Sequence, residues 1–240
     1  MSTTLLDTVS STLPRQSLAE RAAYAIRMDI LNGYYNPGQR LREAELVKRF
    51  AVSHSVIREA LHSLQGEGIV IDAPYRGRAV FKLDETGVTE LVVMRTSLES
   101  QAAYLATQKL NEELEERISV AAHNIKTASP TKYAEWVDLE LAFHRTIWRG
   151  AGNDWLFRHL NQLAIPTFSL NTLHYFKPDL DFQEISRGAR LWETPDNPWG
   201  HQLLTHAILS RNPKQARESM ILHLMRPPHF AELRMQYFQI

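Results

Sequence analysis

The sequence predicts a mainly α-helical protein in two parts: a small N-terminal unit of three helices closed by a β-hairpin, and a larger all-helical C-terminal bundle. Three observations lead there. Apolar residues recur at helical spacing over most of the 240 residues. The stretch around residues 69–82 instead has the β-branched, glycine-containing character of paired strands. Charge is also unevenly divided, by an excess of three on each side that chance alone could produce. Residues 1–83 hold 11 Lys/Arg against 8 Asp/Glu, while residues 84–240 hold 16 against 19. The whole chain balances, 27 against 27, so net charge by itself gives no hint of nucleic acid.

Composition sets further bounds. Hydrophobic residues make up 44%, enough for a sizeable core and too many for a disordered or collagen-like chain. The absence of cysteine excludes disulfides, thiolate zinc sites, iron–sulfur clusters and a cysteine nucleophile. Residues 1–14 read as a flexible Ser/Thr-rich tail without the basic start and apolar run of a signal peptide. No apolar run reaches the roughly 18 residues that span a membrane. These features lead us to expect a cytoplasmic protein with no membrane partner, divided into residues 15–83 and 84–240.

Residues 16–33 read as the first helix, with Leu18, Ala22, Ala25, Ile26, Met28 and Ile30 mostly on one face and Gly33 as its stop. Tyr34 to Gly38 is turn chemistry. A second helix runs from about Glu43 to Phe50. After a short break, Ser53 is a good N-cap for a third helix from about His54 to Gln65, whose stripe is Val56, Ile57, Ala60, Leu61 and Leu64. Two short helices joined by so brief a turn are a helix-turn-helix candidate. Ile69–Asp72 and Ala79–Lys82 then read as strands around a turn, Ala73–Arg78, with two cations at its tip. Together these elements make a winged helix-turn-helix.

That shape suits double-stranded DNA. The third helix would enter the major groove with Ser53, His54, Ser55 and Arg58 at base edges. Arg58 can offer guanine a bidentate pair. Arg76 and Arg78 flank Gly77 and suit a phosphate track or a narrow minor groove. The alternative is an ordinary solvated helix face, which the attached wing disfavours. Pro37-Gly38-Gln39-Arg40-Leu41, Val52-Ser53, Ile57-Arg58-Glu59-Ala60-Leu61, Leu64, Glu67-Gly68 and the Arg76-Gly77 wing resemble the GntR family of bacterial transcription regulators. The chain departs from the family at two usual cations. His54 stands where Arg normally follows Val-Ser, and Ala44 stands where Arg normally precedes Glu-Leu. Arg42 is the candidate substitute.

From Thr86 onward the periodicity is helical. Helices are expected at Val88–Ala106, Asn111–Thr127, from the Ser129-Pro130 start to about Gly150, from Trp155 to about Tyr175 around Pro166, at Trp199–Ser210, and from the Asn212-Pro213 start to Met225. Lys177–Asn197 reads as irregular. Pro227-Pro228 is a break, and a further short helix is expected within His229–Ile240.

Histidine spacing carries the chemistry of this half. Glu140 and His144 are four apart, hence on one helical face. His201 stands about ten residues before the Arg211-Asn212 turn and His223 about eleven after it, so an antiparallel hairpin sets them at one height. If they face each other, three imidazoles and a carboxylate make a divalent-metal site. The bland alternative is a chance pair of core histidines. His206 lies roughly 140° round the helix from His201 and is excluded. A di-iron bundle would use Glu-x-x-His twice, whereas the spacing here is Glu-x-x-x-His once.

Glu140-Leu141-Ala142-Phe143-His144-Arg145, Ala151-Gly152-Asn153, Arg95-x-x-Leu98-Glu99 and the run from His201 to His223-Leu224 look like the ligand-binding domain of the FadR-like branch of that family, the FCD type. The resemblance implies a divalent ion (Zn, Ni or similar) held by one Asp and three His, and a small carboxylate effector beside it. His144, His201 and His223 match the histidines, and Glu140 stands at the Asp position. Arg95 is then the candidate effector-carboxylate partner, a structural ion pair being the alternative. The expected function is a homodimeric repressor on a palindromic operator, with the helix Val88–Ala106 as coupling element. Rivals are a DNA-binding protein whose C-terminal domain only dimerises, and a metal-dependent enzyme. The enzyme reading is disfavoured because no Gly-rich phosphate loop, His-Glu-x-x-His or Gly-x-Ser-x-Gly motif is present. Trp148, Trp192 and Trp199 are pocket-or-core candidates.

Overall fold

The structure, a computed structural model, describes residues 17–73, 77–128, 133–168, 200–225 and 230–240. Outside them lie several expected features: the 1–14 tail, Arg76, the Ser129-Pro130 start, the irregular 177–197 stretch, Trp192, Trp199 and Pro227-Pro228. The described residues form ten helices and one two-stranded antiparallel sheet. The fold is mainly α, an N-terminal winged helix-turn-helix followed by a helical bundle.

The N-terminal unit is α1 (Leu18–Leu31), α2 (Glu43–Phe50), α3 (His54–Gly66), β1 (Val70–Ala73) and β2 (Gly77–Val80). Helix α1 opens with a capping box: Ser17 Oγ accepts from Glu20 N, and Glu20 accepts from Ser17 N at 2.7 Å. That start puts Leu18 on the solvent side, and Ala19, Ala22, Ala23, Ile26 and Ile30 form the buried stripe instead. In α3 the expected face holds: Ile57, Ala60, Leu61 and Leu64 are fully buried, with Val56 at the margin.

The wing differs from its expected register. Val70 pairs with Val80 and Ala73 with Gly77, so β2 begins two residues early. Arg78 therefore lies within the strand, opposite Asp72, and not at the tip. A segment of the preceding turn covers the other edge of β2. Gly38 N donates to Val80 O, Val80 N to Gln39 O and Leu41 N to Arg78 O, at 2.9–3.0 Å. Three short segments, not two, thus satisfy the wing backbone.

The bundle is α4 (Glu85–Gln108), α5 (Glu112–Thr127), α6 (Tyr133–Gly150), α7 (Asp154–Phe168), α8 (His201–Leu209), α9 (Pro213–Leu224) and α10 (Ala231–Phe238). Asn111 and Asn212 cap α5 and α9 through their side chains. The Gln215 side-chain oxygen accepts from the Ser210 hydroxyl at 3.3 Å, bracing the turn before α9. One core cluster joins the N-terminal unit to the bundle: Ile26, Leu61 and Val80 share it with Ala102, Val137, Leu141, Trp148 and Leu160. A second, with Phe143, Ile147, Ile208 and Met220, fills the bundle. Lys109 Nζ donates to Ala151 O at 2.8 Å and Gly152 O at 3.1 Å, tying α4 to the end of α6. Lys109→Ala is expected to lower stability by about 1 kcal/mol, read as a shift in the urea midpoint. Among the described residues no helix is long and apolar enough to cross a membrane.

Candidate nucleic-acid interface and metal centre

The residues expected to read DNA collect on one exposed face. Ser53 caps α3 by accepting from Val56 N, and its hydroxyl meets that of Ser55 at 2.8 Å. The N-terminal turn of α3 is thus capped, with His54 and Arg58 exposed. Arg58 is 68% exposed and donates from Nε to Glu43 Oε2 at 2.8 Å. Arg78 Nη1 reaches the backbone oxygen of Arg58 at 3.4 Å. Arg42, at the N-cap of α2, pairs with Glu45 at 3.1 Å and stays exposed. Gly77 has φ +72 with nothing within 4 Å of a built Cβ, so the start of the wing strand is open to a close partner. The structure brings Ser53, His54, Ser55, Arg58 and Arg78 together, with Arg42 and Gly77 at the margins. Sequence reading missed Glu43, the acid among them, because its partners lie 11, 15 and 35 residues away.

The second constellation is buried. Glu140 and His144 project from α6, His201 begins α8, and His223 lies near the end of α9. One ligand atom from each lies within 4.8 Å of the others, and all four residues are buried. The His201 and His223 rings are 4.5 Å apart, as the same-height argument required. His201 Nε2 is 3.1 Å from Glu140 Oε1, and His223 Nε2 is 3.4 Å from His144 Nε2. Two atoms that each bond one ion at about 2.1 Å are separated by roughly 3.0–3.4 Å. Three imidazole nitrogens and one carboxylate at such spacing fit a divalent ion. The extra methylene of Glu140 does not carry its carboxylate out of the cluster. Phe143 packs edge-on against the His144 and His201 rings, giving the site an apolar wall. His206 is exposed, as its angle predicted.

Behind the cluster stands Glu99 of α4, completely buried. Burial pushes its carboxyl up, but Arg95 and His144, by charge and hydrogen bonds, more than offset this and bring it down to about 2. Its Oε1 accepts from Arg95 Nε, and its Oε2 faces His144 Nδ1 at 2.5 Å and accepts from Trp148 Nε1 at 2.9 Å. An ionised carboxylate only accepts, so His144 Nδ1 carries a proton. In a neutral ring Nε2 then keeps its lone pair, turned toward Glu140 and His223. Glu99 was visible in sequence only as the fourth residue after Arg95; its partner His144 is 45 residues away. Arg95 is found on Glu99, the ion-pair geometry. Trp148 is a core residue whose indole completes the Glu99 shell.

A winged helix-turn-helix ahead of a helical domain with a buried His/Glu cluster is the architecture of a DNA-binding transcriptional regulator. The chain belongs to the GntR family of bacterial regulatory proteins, matched over residues 18–80, and carries an FCD domain over residues 90–226. It is 28% identical over 207 residues to the HTH-type transcriptional repressor GlaR of Escherichia coli (strain K12), covering 84% of this chain and 90% of that protein. It is 25% identical over 218 residues to the probable D-xylose utilization operon transcriptional repressor of Paenarthrobacter nicotinovorans, covering 89% and 96%. Among solved structures it resembles E. coli McbR/YncC, with TM-score 0.67 and 19% identity over 93% of this chain and all of that one. At that identity the likeness concerns the fold.

Proposed function

We infer that the chain is a homodimeric, effector-responsive transcriptional repressor. Residues 15–83 bind a palindromic operator through Ser53, His54, Ser55, Arg58, Arg78 and Gly77, with Arg42 and Arg76 adding phosphate contacts. Residues 84–240 hold a divalent ion, Zn or Ni by donor type, through Glu140, His144, His201 and His223. The observation that carries this reading is the convergence of those four buried ligand atoms inside the FCD domain. A bound ion would supply positive charge for a small carboxylate, and Arg95, paired through Nε with Glu99, would be a second cation nearby. The names of the two relatives support repression as the mode. Effector binding changes the placement of the paired winged helices, and so operator affinity.

The test is metal analysis by inductively coupled plasma mass spectrometry on protein purified under metal-replete conditions. About one divalent ion per chain is expected, with loss in a His201→Ala/His223→Ala variant. An ion-free wild type would overturn the metal reading while leaving operator binding intact.

A further inference from the structure

A carboxylate is poorly placed on a face that meets phosphates, since it repels the backbone it approaches. Glu43, the first residue of α2, sits there. Its Oε2 accepts from Arg58 Nε at 2.8 Å and lies 3.8 Å from His54 Nδ1. Its Oε1 lies 4.0 Å from Arg78 Nη1. One side chain thus links α2, the first turns of α3 and the second wing strand. Its own side chain is 32% exposed, against 68% for Arg58, so Glu43 is the more enclosed member of the pair.

We propose that Glu43 is a positioning and specificity-determining residue for operator reading. With Nε engaged by Glu43, the other edge of the exposed Arg58 guanidinium still carries two N–H groups, the pair a guanine edge accepts. A free surface arginine loses rotamer entropy when it docks on a base; one already tethered loses less. The same carboxylate subtracts one charge from the recognition face and so weakens sequence-independent binding. Removing it therefore has opposite effects on specific and non-specific DNA. The inference rests on the reading that Arg58 faces the operator.

The test compares full-length wild type, Glu43→Ala, Glu43→Gln and Arg58→Ala by fluorescence anisotropy across a salt series. The probes are two duplexes of roughly 30 base pairs, long enough for two half-sites. One is selected by the wild type from a random pool; the other is its scrambled counterpart. Glu43→Ala is expected to bind the selected duplex about tenfold more weakly and the scrambled one at least as tightly as wild type. Glu43→Gln keeps an acceptor for Arg58 and falls between on the selected duplex. An unchanged affinity ratio in Glu43→Ala overturns the proposal. So does a matched loss on both duplexes with a lowered melting temperature, the signature of a purely structural role. If Arg58→Ala also leaves the ratio unchanged, the operator-contact reading itself falls. If only Arg58→Ala lowers the ratio, that reading survives and the role of Glu43 does not.

Discussion

Glu99→Ala is expected to destabilise the protein by about 3–5 kcal/mol, measured as the free energy of urea unfolding. The reason lies in what is left behind. Arg95 is 7% exposed, and loses the carboxylate on its Nε. His144 Nδ1 and Trp148 Nε1 lose their acceptor in the same step. A buried cation without its counter-charge costs far more than the pair contributes when intact. The same change should lower divalent-metal affinity by roughly 10- to 100-fold, since nothing then fixes the ring nitrogen that His144 presents. Glu99→Gln separates the two effects. It keeps the side chain's volume and one acceptor but loses the charge that faces Arg95, so stability should recover only in part. A Glu99→Ala variant that unfolds at the wild-type urea midpoint would show that the Arg95–Glu99–His144–Trp148 network is not a structural keystone.

The contrast between Glu99 and His223 shows what the sequence makes legible. Histidines and caps that depend on local spacing can be read directly. Ser53 caps α3, Asn212 caps α9, and the α8–α9 hairpin that turns at Asn212 sets His201 opposite His223. Helix faces follow from period, yet one residue of phase at Ser17 turned Leu18 outward and Ala19 inward. The wing register was not fully legible, because β2 is held on one edge by β1 and on the other by Gln39–Leu41, almost forty residues earlier in the chain. Glu43 and Glu99 were illegible for the same reason. Each gains its role from partners brought near by tertiary packing, and a single acid on a helix has no periodic signature of that.

Gly68→Ala should be far more damaging than Gly77→Ala, although both glycines have positive φ, +77 and +72. At Gly77 a Cβ meets nothing within 4 Å, leaving only left-handed backbone strain of about 1 kcal/mol. At Gly68 a Cβ would lie 3.0 Å from Pro166 Cγ and 3.1 Å from the backbone oxygen of Gln162. Both belong to α7, and a backbone oxygen and a ring cannot swing aside as a flexible side chain does. The expected loss is about 2–3 kcal/mol, with part of it taken as separation of the N-terminal unit from α7. Hydrogen exchange should then speed up in α1 and α7 together. Identical exchange and melting in the two variants would show that this contact does not constrain the docking. The joint matters because α6 belongs to it as well. Glu67, next to Gly68, pairs with Arg27 of α1 at 3.4 Å. Arg27 in turn acts electrostatically on Asp138 and Arg145 of α6, where burial raises the Asp138 carboxyl and lowers the Arg145 guanidinium. Arg145 donates to Asn161 of α7 at 2.8 Å. The helix that presents Glu140 and His144 to the cluster thus sends Val137, Leu141 and Trp148 into the core shared with the DNA-reading unit. A shift of α6 at the cluster must be absorbed in that joint, because a packed core deforms between discrete arrangements and not continuously.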